Sequence, residues 1–545
     1  MPFPAQGPVR CLLVRPEFLD NTFYNPREMF RMLGSASAAP PLGLLVVAAH
    51  LPKDWEVKLV DQDLDPVTDE HLAWADVLFL TAKGPQQVPV RRLAERAHKR
   101  GIPVVLGGAG PTLQPKEFAG VADAVVVGEA ELVLPELIAD LRAGRLKKQY
   151  RGTGTVDLLD APTPRYDLAK LDRYLFVGMN YSRGCPFACE FCAQIEIFGR
   201  KPRTKTAAQI IHEHQTLYDL GYRGMVDFGY DNMIGDVART EEVLTAMRDW
   251  NRAHGHPFCY TTEATMNLAR LPKILELMRD NDFRYIFMGI ESGDEDVLDQ
   301  TKKGQNTALP AEEVVRTVNG YGIAVNTGLI LGFDAEKKDI GPKILEMVQK
   351  TGAFPTLVLP LHALPGTELS RRLAREGRLF REGVITNLDE DRTDTATSGL
   401  NFVTRRPRTE ILKDLAWVLE QLYQPKNHFA RAELTIRQLK AQRKWRPGFK
   451  RLLRLSGSFV EIAVKIGLKP GTAWLFWKTF FKALFTNPSA VEVMLGGAVF
   501  NAAYALQSKS YVEALRKNIA EVEAVGEEAW NERMRLPAEA RQLSA

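Results

Sequence analysis

Short apolar runs recur along most of this chain with a helical stretch between successive runs, and this alternation limits the possible folds more than any other feature. The first series is CLLV (11–14), VKLV (57–60), DVLFL (76–80), IPVVL (102–106) and DAVVV (123–127), with helical stretches such as 89–100 between them. Strands that return after an intervening helix pair in parallel, and a parallel sheet needs cover on both faces. Five such strands predict a doubly wound α/β domain over residues 1–145, flavodoxin-like in type, with ligands expected at the carboxyl ends of the strands.

Residues 146–174 are basic, then rich in Pro, Asp and Thr, and read as a linker. A second series follows, with strands near 175–181, 224–229, 258–263, 285–291, 324–333 and 357–363. At about 30 residues per unit these predict six parallel βα units. The expected form is a partial (β/α)6 barrel over 175–385, with its chemistry on the loops at the carboxyl ends of the strands. The polar, turn-rich segment 384–400 marks a boundary, and 386–545 reads as a mainly helical C-terminal domain. A length of 545 residues, 45% hydrophobic and 25% charged, suits such a three-domain globular chain. The net charge of +4 is too small for a dedicated nucleic-acid binder. The opening MPFPAQGPVR lacks the charged start and apolar run of a secretory signal. The apolar stretch 490–506 is short for a membrane span and carries Glu492. A cytoplasmic protein is expected.

Three of the five cysteines fall within SRGCPFACEFCAQ (182–194), as Cys185, Cys189 and Cys192, just after the first strand of the second series. Thiolates are soft ligands that suit zinc or an iron–sulfur cluster. Structural zinc normally takes four ligands, and the closest histidine in sequence is His212. Three thiolates can instead hold three irons of a four-iron cubane and leave the fourth open to a ligand. A zinc knuckle is the alternative reading. Position on a barrel strand end favours the cubane.

Polar groups follow the other strands of this series: Asp231 and Asn232, Glu263 and Asn267, Glu291 and Ser292, and Asn326. Each alone could be a helix cap or a solvated loop residue. Recurring at successive strand ends, they form a candidate cofactor-binding set.

The spacing Cys185-x3-Cys189-x2-Cys192, with Phe191 before the last cysteine, resembles the radical S-adenosylmethionine (SAM) superfamily. That resemblance implies a [4Fe–4S] cluster whose open iron chelates SAM, which is then reduced to a 5′-deoxyadenosyl radical. It implies SAM contacts chiefly at Glu291 and around Asp231. It leads to a glutamine where this chain has Glu263.

In the first domain, PPLGL (40–44), GG-x-G-PT (107–112) and VGE-x-E (127–131) resemble the cobalamin-binding domain of cobalamin-dependent radical enzymes. The resemblance places cobalamin against Gly43, Gly107, Gly108, Gly110, Pro111, Thr112, Gly128 and Glu129. Domains that bind cobalt through histidine carry D-x-H-x-x-G after the first strand, and this chain has no histidine there. Asp69 and His71 form D-x-H only after the second strand, with Trp74 in place of the glycine. Cobalt without a protein histidine ligand is therefore implied, with Lys83, Gly84 and Gln86 as neighbours of its lower face.

IFGRKPRTKT (197–206), ESGDEDVLDQTKKGQN (291–306) and the helical 401–431 resemble the branch that includes the hopanoid C-2 methylases and related lipid or pigment methylases. The implied activity is C-methylation of an unactivated carbon on a small hydrophobic substrate, with a flavodoxin- or ferredoxin-type one-electron reductant. A non-methylating oxidation or ring closure would use the same cofactors, and a non-catalytic cobalamin sensor is the reading from another class. Residues 431–454 hold nine basic residues against Glu433 alone, and the aromatic-rich 474–485 follows. This region reads either as a peripheral membrane contact through 431–485 or as a solvated basic face beside a core helix.

Overall fold

The computed structural model describes residues 7–18, 25–229, 231–380 and 400–535. The boundary expected at 384–400 lies outside these residues apart from Leu400, as do residues 1–6 of the opening segment read for a leader.

The first sheet is wholly parallel, in the order β2-β1-β3-β4-β5-β6. Its strands are β1 Arg10–Arg15, β2 Glu56–Asp61, β3 Val77–Thr81, β4 Val104–Gly107, β5 Ala124–Val127 and β6 Gln149–Arg151. All five expected strands are present. The apolar runs look continuous in sequence because both faces are buried, yet alternate residues serve different cores. Leu12, Leu78 and Leu106 pack on one side, while Leu13, Phe79 and Val105 pack on the other.

The sixth strand corrects the expected linker. Residues 146–174 begin with β6 and then lay Leu158, Tyr166, Leu171 and Tyr174 into the interior. A three-residue strand with one inward side chain, Tyr150, leaves too little periodicity to be read from sequence.

The second sheet is also parallel and runs in sequential order, β14-β13-β12-β11-β10-β7. These strands are β7 Phe176–Met179, β10 Met225–Phe228, β11 Cys259–Glu263, β12 Phe283–Glu291, β13 Ala324–Leu331 and β14 Thr356–Pro360. Edge strands β7 and β14 make it the expected open six-stranded barrel. Between β7 and β10, a short antiparallel ladder of β8 Ser182–Arg183 with β9 Arg203–Thr204 brackets the cysteine loop.

Of the C-terminal helices, Pro425–Gln438 and Val491–Val525 cover the amino ends of the barrel strands, while Arg408–Leu422 packs along β14 and the helix Ile340–Thr351. A Cβ at Gly497 would lie 1.8 Å from the Phe354 ring, so only glycine lets the long helix sit this close to the start of β14. Arg284, at the start of β12, donates to Asp282 at 3.0 Å and to Glu492 at 2.5 Å. Asp282 also accepts the backbone N–H groups of Lys444 and Trp445. Much of the basic run 431–448 is thus spent on internal contacts, not on a solvated face. The apolar stretch 490–506 belongs to a 35-residue helix, long enough to cross a bilayer by length and composition. Half of its most apolar window is buried, Glu492 is tied to Arg284, and it reads as a core helix.

Candidate active site

Two loops of one domain and the cysteine loop of the other meet at the carboxyl ends of the two sheets. Arg183, two residues before Cys185, donates to Glu129 at 2.6 Å and to Glu131 at 2.7 Å. Arg203 holds the other oxygen of Glu129 at 3.0 Å, together with the backbone N–H of Val156. Glu129 follows β5 of the first domain, so this nearly dry cluster joins that domain to both sides of the cysteine loop. Both oxygens of Glu129, a residue expected against cobalamin, are taken by this bridge.

Gly184 has φ +89° and lets the chain turn out of β8; a Cβ there would meet the carbonyl oxygen of Lys201 at 2.6 Å. Its N–H donates to Asp231 Oδ2 at 2.7 Å. On the far side of the loop, Arg372 grips Glu190 through two hydrogen bonds of 3.0 and 2.9 Å and also reaches Asp334. Phe191 packs against Phe333, with the Lys303 ammonium over its ring.

The sulfurs fit a cluster by their donor environment. The backbone N–H groups of Gln194 and Ile195 favour the Cys192 thiolate, Phe187 N–H and Asn232 favour that of Cys185, and Gln305 Nε2 donates to Cys189 Sγ at 3.4 Å. Such donors stabilise thiolate charge. Burial opposes them, pushing the Cys192 thiol up to about 11 and Cys185 in the same direction. Bound iron would take the place of the proton. Among the described residues no three Cys, His, Asp or Glu side chains converge as ligands of one ion would.

Several buried polar atoms beside this loop lack a hydrogen-bond partner: Asp231 Oδ1, Asn326 Oδ1, Asn180 Oδ1 and Ser182 Oγ. Orphaned acceptors are costly unless something binds them, and together they fit a ligand bearing ammonium and hydroxyl groups. Glu291 ends β12 with φ +65°, where the ladder to β13 slips, and it pairs with the buried Lys303. Such strain in a non-glycine residue is typical of a ligand-binding position. Ser292 instead accepts the Asp294 N–H and shapes the following turn. Asn232 accepts the Thr265 N–H as well as facing Cys185.

Glu263 and Lys83 are accessible yet ringed by protein, and they face each other electrostatically across the domain boundary. Burial, reinforced by Asp231, pushes the Glu263 carboxyl up to about 7. Burial likewise raises Asp231 to about 6 and lowers the Lys83 ammonium. Asp227, which the strand-end reading passed over, is raised well above the carboxylate range by burial and by Glu263. These groups gather at the carboxyl ends of the two sheets, where Lys83 of the first domain interacts with Glu263 of the second.

On the cobalamin side, Gly43 and Gly128 have open space where a Cβ would stand, and Gly128 has φ +90°. Thr112 accepts the Gly128 N–H at 3.0 Å, ordering the loop after β4 against that after β5. Gly108 and Gly110 serve a different need. A Cβ on either would strike backbone around Ala82 and Lys83, so they let the loops after β3 and β4 touch. Gly107 lies in β4, Pro111 is buried in the turn after it, and Gly84 opens the turn after Lys83. Gln86 is tied to the Lys83 N–H and the Pro16 carbonyl. His71 closes a capping box with Thr68 on its own helix, in keeping with D-x-H as coincidence.

The spacing of the cysteines pointed to the loop but not to Arg183, Arg203, Lys303, Gln305 or the Glu190–Arg372 pair. All but Arg372, which lies in the helix Glu368–Arg375, sit in the motifs quoted above, where polar and charged residues inside predicted turns were the available signal.

Comparison with known proteins agrees with this geometry. Sequence profiles match at residues 32–138 for a B12 binding domain, 179–348 for the radical SAM superfamily and 367–517 for a domain of unknown function (DUF4070). The chain is 35% identical over 488 residues to an uncharacterized methyltransferase, sll1242, of Synechocystis sp., covering 89% of each. It is 35% identical over 434 residues to the hopanoid C-2 methylase of Rhodopseudomonas palustris, covering 78% of this chain and 79% of that protein. The cobalamin-dependent SAM radical enzyme OxsB, solved with aqua-cobalamin and SAM bound, shares the fold with a TM-score of 0.59 at 14% identity, over 98% of this chain and 82% of that one. By its two cofactor domains, its cysteine loop and its extended identity to methylases, the chain belongs to the cobalamin-dependent radical SAM methyltransferases and uses a [4Fe–4S] cluster, SAM and cobalamin.

Proposed function

We propose that the enzyme methylates an unactivated carbon of a small hydrophobic substrate of the lipid, terpenoid or pigment class. The observation that carries this reading is that the carboxyl ends of both sheets face each other and are joined by the Arg183–Glu129–Arg203 bridge. When bound, the cluster and SAM supply a hydrogen-abstracting radical, and cobalamin supplies a methyl carrier. Cys185, Cys189 and Cys192 would hold three irons. Asp231 Oδ1 and Asn326 Oδ1 would accept from the ammonium or hydroxyl groups of SAM, and Gly43 and Gly128 would let cobalamin approach backbone. The bridge holds the loop after β5 against the cysteine loop, and so would keep the two cofactor-binding domains in a fixed relation, which is the positioning such a reaction needs. A C–H bond without acidity gives a general base nothing to do, and none is assigned. Hydrophobic products in relatives, such as the hopanoid C-2 methylase and the bacteriochlorophyllide d C-12(1)-methyltransferase of Chlorobaculum tepidum, support the substrate class. A low-potential donor of the flavodoxin or ferredoxin type is proposed as reductant.

The test is anaerobic reconstitution with iron, sulfide and cobalamin, followed by turnover on a lipid and pigment extract with methyl-deuterated SAM. A labelled, apolar product is expected. An oxidised or cyclised product without label would replace methylation with a non-methylating radical reaction.

A further inference from the structure

We propose that the helical hairpin 449–486 docks this enzyme on a bilayer containing anionic lipids. Helix Phe449–Lys465 presents Phe449, Leu452, Leu453, Val460 and Val464 to solvent, at the spacing of one helical stripe. Helix Ala473–Thr486 does the same with Trp474, Phe481 and Phe485. The two helices meet through Phe459 and Phe480, with ring centroids 5.5 Å apart, so both stripes belong to one surface. Phe449, Trp474 and Phe485 are 75%, 77% and 79% exposed. Scattered exposed apolar residues are ordinary, but a contiguous aromatic patch of this kind marks an interaction site.

The inner faces of both helices are filled. Ile462, Ile466, Phe476 and Ala483 pack into the core with Met494 and Val499 of the long helix. The outer stripes are therefore surplus to folding.

Charge selects the occupant. Residues 449–486 carry seven Lys or Arg against Glu461 alone. Lys478 and Lys482 share Glu433, and Lys465 shares Glu28 with Glu461, which offsets part of that charge without cancelling it. Lys469, at the hairpin loop, and Arg446, just before it, are exposed. A second copy of this face would meet its own positive charge across a twofold axis. An anionic lipid surface complements it, taking aromatic rings at headgroup depth and leaving the ammonium groups in water. Of the basic run 431–454, Arg431, Arg443 and Lys444 are spent on internal contacts beneath the barrel, while Arg446 stays exposed beside this face.

The test is flotation of the full chain, loaded with cluster and cobalamin, with vesicles of phosphatidylcholine alone or mixed with phosphatidylglycerol. Binding to the mixed vesicles that weakens with salt is expected, and W474E/F485E should lower the bound fraction roughly tenfold. W474S, a milder change at the same exposed site, should lower it less, and Leu159→Glu, exposed on the linker, should leave it unchanged. Circular dichroism and cobalamin absorbance check that each variant is folded and loaded. Three results would overturn the proposal: wild type that floats with neither vesicle, folded W474E/F485E that floats as well as wild type, or light scattering that shows a dimer which W474E/F485E dissociates. Vesicle binding needs no turnover, so it stands or falls apart from methyl transfer.

Discussion

The two ends of the same barrel are built on opposite principles. At the amino ends of the strands, Asp282, Arg284, Glu492 and the backbone of Lys444 and Trp445 pair with one another, although Arg284 Nε keeps no partner. At the carboxyl ends, Asp231 Oδ1 and Asn326 Oδ1 have no partner, and Asp227, Asp231 and Glu263 are all held above their usual range. One end is braced chiefly by ion pairs within the chain, and the other gathers unpartnered acceptors and raised carboxyls that a ligand would meet. Substitutions at the first should cost stability, while substitutions at the second should cost chemistry.

The sharpest break in this contrast is Cys192→Ala. It should abolish the cluster's visible absorbance and lower methyl transfer more than about 10³-fold. Thermal unfolding of the protein without cofactors should barely move. Next in size is Asp282→Ala, which leaves Arg284 buried with a weakened partner set. Chemical denaturation should show a loss of about 3–5 kcal/mol, with turnover per folded, loaded molecule unchanged. Comparable losses of turnover and stability there would mean that the two ends are not independent.

Glu129→Ala tests the bridge between them. It leaves Arg203 with only the carbonyls of Val156 and Phe198 and Arg183 with Glu131, so the expected loss of stability is smaller, about 2 kcal/mol. Limited proteolysis of the 146–174 connector should quicken, and turnover should fall because the two domains lose their fixed relation.

The smallest effect is the one that separates the two ends by sign. The Glu263 carboxyl rises from 4.5 to about 7 on folding, so the folded state resists its ionisation. Its contribution is favourable below about pH 4.5 and is lost as pH rises through about 7. Glu263→Gln should therefore match wild type near pH 4.5 and unfold a few degrees higher above pH 7 in the cofactor-free protein. A Glu263→Gln variant that is less stable than wild type at pH 8 would mean that this carboxylate is structural.

Both parallel sheets, the cysteine loop and the polar strand ends were legible because each depends on local spacing. A buried strand must be apolar for its few residues, a βα unit has a characteristic length, and three thiolates on one loop are close whatever surrounds them. The linker was misread because β6 exists only by pairing with β5, with partners 24 residues apart in sequence. Lys83 opposite Glu263, and Glu129 between Arg183 and Arg203, were beyond reach for the same reason: their partners belong to another domain.

Sequence alone determined which chemistry this protein can support, since ligand type and spacing are local properties of the chain. Tertiary structure decided which side chains are spent on holding the domains together and which are left for cofactors. It also decided that the basic run splits into an internal brace and an outer amphipathic hairpin. Pairing energies and burial depend on neighbours that only folding brings together, and a linear pattern does not contain them.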